Sequence, residues 1–147
     1  MKILFTIYFS LATNIIAADY SSESSSKETY EFSIDTIDGY STEIRKTEET
    51  WTDSLGNYGL NTYVGTIIKE KEKLNLDLMC EYIDQDKQKN WSKLYRKKTI
   101  DDPVIGVVEY IEATDKYKFL VGKKCNYAVK FYDTSFFFLN INLMNKW

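Results

Sequence analysis

The run Leu74-Asn75-Leu76-Asp77-Leu78-Met79-Cys80-Glu81-Tyr82 decides the fold class of this 147-residue chain. Its even-numbered positions are all apolar or aromatic, and three of its four odd-numbered positions are polar or charged. Side chains of a β-strand point alternately to the two faces of a sheet, so a period of two is typical of a strand with one buried face. The run therefore predicts a half-buried strand over residues 74–82.

Similar runs lie on both sides of this strand, separated by short polar segments that are typical of turns. They are rich in β-branched and aromatic residues, which favour an extended chain. The other predicted strands are Tyr30–Ile34, Tyr40–Trp51, Leu60–Lys69, Asn90–Lys98, Val104–Glu112, Cys125–Phe131 and Ser135–Leu143. The most polar of them is Tyr40–Trp51, for which a helix is the alternative.

About eight strands with short links, and no long amphipathic helix after the first 18 residues, indicate an all-β fold. Strands joined by short turns, such as the hairpin turn that Asp38-Gly39 predicts, pair antiparallel, so the simplest topology is a meander. Eight such strands can close into a small barrel that encloses side chains or one small ligand. We therefore expect residues 29–147 to form one antiparallel barrel, with a two-sheet sandwich as the alternative.

The first 18 residues have the features of a signal peptide. Lys2 precedes the apolar run Ile3–Ala12, and Ala17-Ala18 supplies the small residues of a cleavage site. The apolar run is shorter than the roughly 20 residues of a membrane-spanning helix, although a retained anchor is the alternative. We expect an exported protein, periplasmic or secreted, with no stable membrane insertion after cleavage. Residues 19–28 are rich in Ser and Glu and have no apolar period, which predicts a flexible tether.

The composition excludes several functions. Because Lys2 is the only charge before Ala18, the 129 residues that follow carry 18 basic and 22 acidic side chains, and their net charge of −4 does not suggest a nucleic-acid partner. The chain has no His, which excludes a His-dependent triad, an imidazole general base and an ordinary zinc site. Asp84-x-Asp86 begins like a calcium loop but lacks the Gly and Glu that such a loop needs. We expect neither a metal nor a cofactor.

Cys80 and Cys125 are the two cysteines of the chain. Paired cysteines in an exported protein usually form a disulfide. They are 45 positions apart, unlike the C-x-x-C pair of a redox protein. Cys80 shares its strand face with Leu78, and Cys125 shares its face with Tyr127, so both thiols should point into the core. The sequence predicts a structural disulfide between them.

The segment Thr114-Asp115-Lys116-Tyr117-Lys118-Phe119-Leu120-Val121-Gly122 is similar to the G-T-G-x-[FY]…G turn of the allene oxide cyclase and dirigent barrels, although the glycines of G-T-G are absent. With the strand pattern, the chain resembles the calycin-like β-barrels, which also include lipocalins and streptavidin-like proteins. The lipocalin G-x-W start is missing, since Glu49-Thr50 precede Trp51. The resemblance implies a small barrel with a binding cavity and assigns no catalytic residue.

Aromatic side chains of the later strands are the candidates for lining such a cavity, because they can stack on a flat ligand while a Tyr hydroxyl orients it. The predicted ligand-binding residues are Trp91, Tyr95, Tyr110, Tyr127 and Phe131. The function that follows is a non-catalytic binding module for a small apolar or aromatic molecule.

Two other functions remain open. One is an isomerase-like enzyme that uses carboxylates and tyrosines in the same cavity. The other is a structural or inhibitory protein whose core is filled by its own side chains. Arg96 and Glu109 either lie inside the barrel, where they would bind a polar ligand, or face water.

The signal-peptide prediction is tested by N-terminal sequencing of the exported protein. Cleavage after Ala18 should give a chain that begins Asp19-Tyr20-Ser21. Recovery of an intact, membrane-bound chain that begins at Met1 would contradict both the export and the exclusion of the first 18 residues from the fold.

Overall fold

The computed structural model describes residues 20–99, 105–131 and 137–143 of the chain. The predicted signal peptide, Met1–Ala18, lies outside the described residues. Within them, no helix has the length and apolar character needed to cross a membrane.

The described residues form eight strands and one short 3₁₀ helix. The strands are β1 (Ser21–Asp35), β2 (Tyr40–Asp53), β3 (Tyr58–Glu70), β4 (Lys73–Asp84), β5 (Lys89–Thr99), β6 (Ile105–Ala113), β7 (Lys124–Phe131) and β8 (Phe137–Leu143). The 3₁₀ helix, Asp115–Leu120, lies between β6 and β7. Each strand pairs antiparallel with the next one along the chain. The predicted all-β antiparallel meander is confirmed, and the polar run Tyr40–Trp51 is a strand.

The sheet curls strongly, and its first strand meets its last strand over a short distance. Ser21–Ser25 of β1 pair with Phe138–Asn142 of β8. Beyond this point Glu28–Asp35 of β1 pair with β2, and the described residues contain no second strand beside them. The barrel is therefore joined at one end and open at the other, so the expectation that it closes fully is wrong.

The composition of residues 19–28 predicts a flexible tether, but Ser21–Glu28 belong to β1. Ser22 and Ser24 are buried, with exposed fractions of 3% and 4%. The apolar period is missing from this part of the strand because its inward positions are filled by serines.

A β-bulge in β1 reverses which residues of the strand face inward. The register with β2 shifts between Ser26 and Glu28, and such a bulge moves every later side chain to the opposite face. Tyr30, Phe32 and Ile34 consequently lie on the outer face, where they are between one half and two thirds exposed. The strand that their alternation predicts exists, but it is not half-buried: Tyr30–Asp35 are all exposed, and the apolar side faces outward.

The joined end of the barrel is filled by aromatic residues and covered by the 3₁₀ helix. Tyr117 and Leu120 of that helix are fully buried. The ring of Trp51 packs edge-to-face against Tyr82 and Tyr117, with centroid distances of 5.7 and 6.4 Å. The Tyr117 hydroxyl donates a hydrogen bond of 2.9 Å to Asp84 at the β4–β5 turn. These contacts close the end of the barrel where β1 and β8 pair.

The predicted disulfide is wrong, because Cys80 and Cys125 are not bonded to each other. Both thiols point into the core, as their strand positions predict, and both are fully buried. Cys80 lies on β4 and Cys125 on β7, so β5 and β6 separate them. At about 4.8 Å per strand, the separation along the sheet is roughly 14 Å, whereas a disulfide requires Cα atoms within about 7 Å. Burial raises the pKa of the Cys80 thiol, which makes it unreactive.

Candidate ligand-binding site

A cavity of about 230 Å³ lies inside the curled sheet. It is larger than the roughly 150 Å³ that holds one benzene ring and smaller than the roughly 300–1,000 Å³ of pockets for drug-sized ligands. Lys69, Leu74 and Val129, which are exposed or half-buried, line its outer part. Glu49 and Tyr63, which are buried, line its floor. The cavity has room for a molecule with a single ring or a short chain.

The two walls of the cavity differ in polarity because they come from different strands. The wall from β3, β4 and β5 is apolar: it consists mainly of Ile67, Leu74, Leu76, Leu78 and Leu94. The wall from β2 is polar and charged: it consists of Glu43, Arg45, Thr47 and Glu49. A molecule inside would therefore contact leucine side chains on one side and carboxylate, hydroxyl and guanidinium groups on the other.

Glu49 is the centre of a buried hydrogen-bond network at the cavity floor. Its Oε2 atom accepts hydrogen bonds from the Ser24 hydroxyl and, at 3.2 Å, from the Asn61 side-chain amide. Asn61 also donates to the Tyr63 hydroxyl at 2.7 Å, and the hydroxyls of Tyr63 and Tyr82 are 2.9 Å apart. The network joins the four strands β1 to β4. Within the described part of the chain, the Oε1 atom of Glu49 has no hydrogen-bond partner.

Burial changes the acid–base behaviour of this network. It raises the pKa of Glu49, and hydrogen bonds from Ser24, Tyr63 and Asn61 oppose this effect only in part. The pKa of Tyr63 is also well above its usual value, first because of burial and then because of the nearby Glu49 charge. Folding therefore shifts the Glu49 carboxyl towards its protonated form, and the Tyr63 hydroxyl keeps its proton.

Two arginines also line the cavity: Arg45 lies on the polar wall and Arg96 lies on β5. Arg45 forms ion pairs with Glu43 of its own strand and, at 2.6 Å, with Glu31 of β1. Arg96 of β5 is buried, with 7% of its surface exposed, and its charge lowers the pKa of Tyr127, although burial raises that pKa more, to about 12. Arg96 thus lies inside, which is one of the two placements open from the sequence. Glu109 has the other placement: its carboxylate pairs with Lys124 and is partly exposed.

Tyr127 is seated against Gly106, which has no side chain to displace the ring. A Cβ atom added at Gly106 would lie 2.2 Å from the Tyr127 ring. Gly106 and Tyr127 are directly paired between β6 and β7. The absence of a side chain at position 106 therefore keeps the Tyr127 ring back against the sheet and preserves space in the cavity.

The structure brings one of the five predicted ligand-binding residues, Tyr127, to the cavity wall. Trp91 and Tyr95 lie on the outer face of β5, where the Trp91 indole donates to Glu81 at 3.0 Å and the Lys124 ammonium donates to the Tyr95 hydroxyl at 3.3 Å. Their aromatic side chains predict that they line the cavity, which is wrong for both residues. The inward positions of β5 are instead the even ones, which carry Asn90, Ser92, Leu94 and Arg96.

Tyr110 and Phe131 complete the predicted set. Tyr110 is buried, but it packs edge-to-face against Tyr20 in the core of the joined end, at a centroid distance of 6.4 Å. It is not among the residues that line the cavity. The side chain of Phe131 lies outside the described part of the structure.

Glu49 and Ser24, which organise the cavity floor, are not among the residues predicted from the sequence. A signal for Glu49 is its spacing from Trp51, because residues two apart on a strand share a face and a buried Trp marks the inner one. Ser24 gives no comparable signal in a serine-rich segment. No group of three or more His, Cys, Asp or Glu side chains among the described residues is arranged to hold a metal ion.

Comparisons with protein-family models, with curated proteins and with solved structures gave no match to this chain.

The buried position of Glu49 predicts how stability depends on pH. Since the pKa of Glu49 is raised by folding, the folded chain holds this proton to higher pH than the unfolded chain, and the stability of the wild type falls as pH rises above the usual value of 4.5. Glu49→Gln removes the titration and should be more stable than the wild type at pH 7, with a difference that shrinks towards pH 4. Urea unfolding at several pH values measures it.

Glu48→Gln is the matched control, because the partly exposed Glu48 carboxylate pairs with Lys46 at the surface and such pairs contribute little. A difference between Glu49→Gln and the wild type that does not change with pH would contradict the buried, titrating carboxyl.

Proposed function

We propose that this chain is an exported, non-catalytic binding protein with a calycin-like barrel, and that its cavity holds one small amphipathic molecule. The observation that carries the proposal is the pairing of an apolar wall with a buried, hydrogen-bonded carboxyl at the cavity floor. Cavities that bind small molecules are typically mostly apolar with a few fixed polar groups that orient the ligand. The order of the strands and their strong curl support the calycin-like assignment.

The apolar part of the ligand would pack against the leucine wall. Leu76, Leu78 and Leu94 come from two neighbouring strands and face the same space. Removing apolar surface from water stabilises a complex by about 25 cal/mol per Å², so this wall supplies most of the affinity. Its side chains come from strands, which hold them in place before a ligand arrives.

The polar part of the ligand would lie towards β2. Thr47, Glu49 and Tyr63 form the polar floor, and the ion pair of Glu43 with Arg45 lies along the same wall. A hydroxyl, amide or carbonyl group on the ligand would find hydrogen-bonding groups there. A purely polar molecule would leave the leucine wall unused.

A second candidate, an isomerase-like enzyme, is favoured by one observation. The raised pKa of Glu49 brings its carboxyl towards the range in which an acid can also act as a base near neutral pH. The Tyr63 hydroxyl, protonated and adjacent, would donate to a developing oxyanion. In heavy water the enzyme would exchange the α-protons of a cyclic ketone for deuterium, and Glu49→Gln would abolish this exchange.

Binding is tested by NMR titration with benzyl alcohol and cyclohexanol, with glucose as the polar control. The first two should bind with dissociation constants of roughly 10–1,000 μM, as ligand efficiency allows for so few atoms. Leu76→Trp fills the cavity and should weaken binding at least tenfold. Gly106→Ala should also weaken it, because the Tyr127 ring must move into the cavity.

Met79→Trp is the matched control, since Met79 lies on β4 near Leu76 but on the exposed outer face. Its affinity for benzyl alcohol should equal that of the wild type. Absence of binding at millimolar ligand, or equal affinities of Leu76→Trp and the wild type, would contradict a binding cavity at this place.

A further inference from the structure

Strand β1 is shared between the barrel and an open sheet edge. Ser22–Ser25 pair with both β2 and β8, whereas the described partners of Glu28–Asp35 belong to β2. An edge strand presents backbone N–H and C=O groups to which another strand can pair. Lysine and proline, two residues that commonly block such pairing, are absent from Glu28–Asp35.

The outer face beside this edge carries several exposed apolar side chains. We call it the outer apolar patch, and its residues are Tyr30, Phe32, Ile34, Ile44, Val64 and Met79, each exposed by 43 to 66%. Phe32 is opposite Ile44 and Val64 is opposite Met79, and Lys46 lies between Tyr30 and Val64 with its ammonium over the Tyr30 ring. The exposed surface of the outer apolar patch is on the order of 600 Å², the upper end of what a monomer usually presents. Such a patch beside an open edge indicates an interface.

We propose that two copies of the chain form a two-fold dimer in which Thr29–Asp35 of β1 pairs antiparallel with the same segment of the second copy, centred on Phe32. Antiparallel pairing of a strand with itself is compatible with a two-fold axis, the commonest symmetry of protein dimers. The pairing would extend the sheet of one copy into the sheet of the other.

The side chains of the edge favour this register. With Phe32 on the axis, it lies opposite the partner's Phe32, and Tyr30 lies opposite the partner's Ile34. On the other face Glu31 lies opposite the partner's Ser33, so no like charges meet. Cross-strand apolar pairs of this kind stabilise a sheet by roughly 0.2–1 kcal/mol each.

The neighbouring registers are disfavoured. Centring the pair on Glu31 places two glutamates directly opposite each other, and centring it on Ser33 places Glu31 opposite the partner's Asp35. Both arrangements oppose like charges across the strands, which is destabilising. A register shifted by one residue would pair odd-numbered positions of one copy with even-numbered positions of the other. The apolar side chains of one copy would then lie on the same face as the polar side chains of the other.

The dimer is tested by light scattering coupled to size-exclusion chromatography on a dilution series of the exported chain. The wild type should have twice the mass of one chain. Phe32→Lys should be monomeric, with a dissociation constant raised at least a hundredfold, because two ammonium groups would meet on the axis. Phe32 is 66% exposed, so its replacement should leave the monomer folded, which circular dichroism checks.

Met79→Lys is the matched control: it adds the same charge to the same outer apolar patch but lies on β4, away from the edge. It should remain dimeric. A monomeric wild type would overturn the proposal. A dimer that Met79→Lys disrupts and Phe32→Lys does not would also overturn it, because that result indicates that the outer faces of the two sheets pack against each other without pairing of the β1 edges.

A cross-link tests the register independently of any folding defect in Phe32→Lys. Phe32→Cys should form a disulfide-linked dimer under mild oxidation, because the two residues at position 32 are directly opposite each other. Met79→Cys should stay unlinked under the same conditions. Equal cross-linking of both variants, or of neither, would contradict pairing centred on Phe32.

Discussion

The hydrogen bonds to the buried carboxyl of Glu49 are the interaction on which the interior depends. They join Ser24 of β1 and Asn61 of β3 to β2, and through Tyr63 they continue to Tyr82 of β4. A carboxyl buried to this extent is costly unless it is hydrogen-bonded, so the surrounding strands must offer donors at fixed places. A small hydroxyl side chain at position 24 and an amide at position 61 meet this requirement.

This constraint also determines the polarity of the two faces. Since the inward positions of β2 from Glu43 to Glu49 carry polar and charged side chains, the apolar Ile44 between them lies on the outer face. The bulge after Ser26 then turns Phe32 of β1 to the same outer face. The cavity gains a polar floor and the outer face gains exposed apolar surface, so the proposed binding site and the proposed interface have one structural origin.

Much of the fold was predictable from local pattern, whereas the candidate site was not. The clean alternation of Leu74–Tyr82 predicts β4 correctly because that strand has one apolar and one polar face. The same reasoning fails for β1 and β5, where Ser24 and Arg96 point inward and Phe32 and Trp91 point outward. The predicted disulfide between Cys80 and Cys125 fails for a different reason: which strands lie between two residues is a property of the whole sheet.

The most direct test of this account is a pH titration of the Glu carboxyl carbons by ¹³C NMR, with Glu49→Gln to assign one resonance. The resonance missing from this variant should titrate above pH 4.5, the usual Glu value, and its pKa should rise further when benzyl alcohol occupies the cavity. A Glu49 carboxyl that titrates like the exposed glutamates, and does not respond to benzyl alcohol, would contradict a buried carboxyl at the floor of a binding cavity.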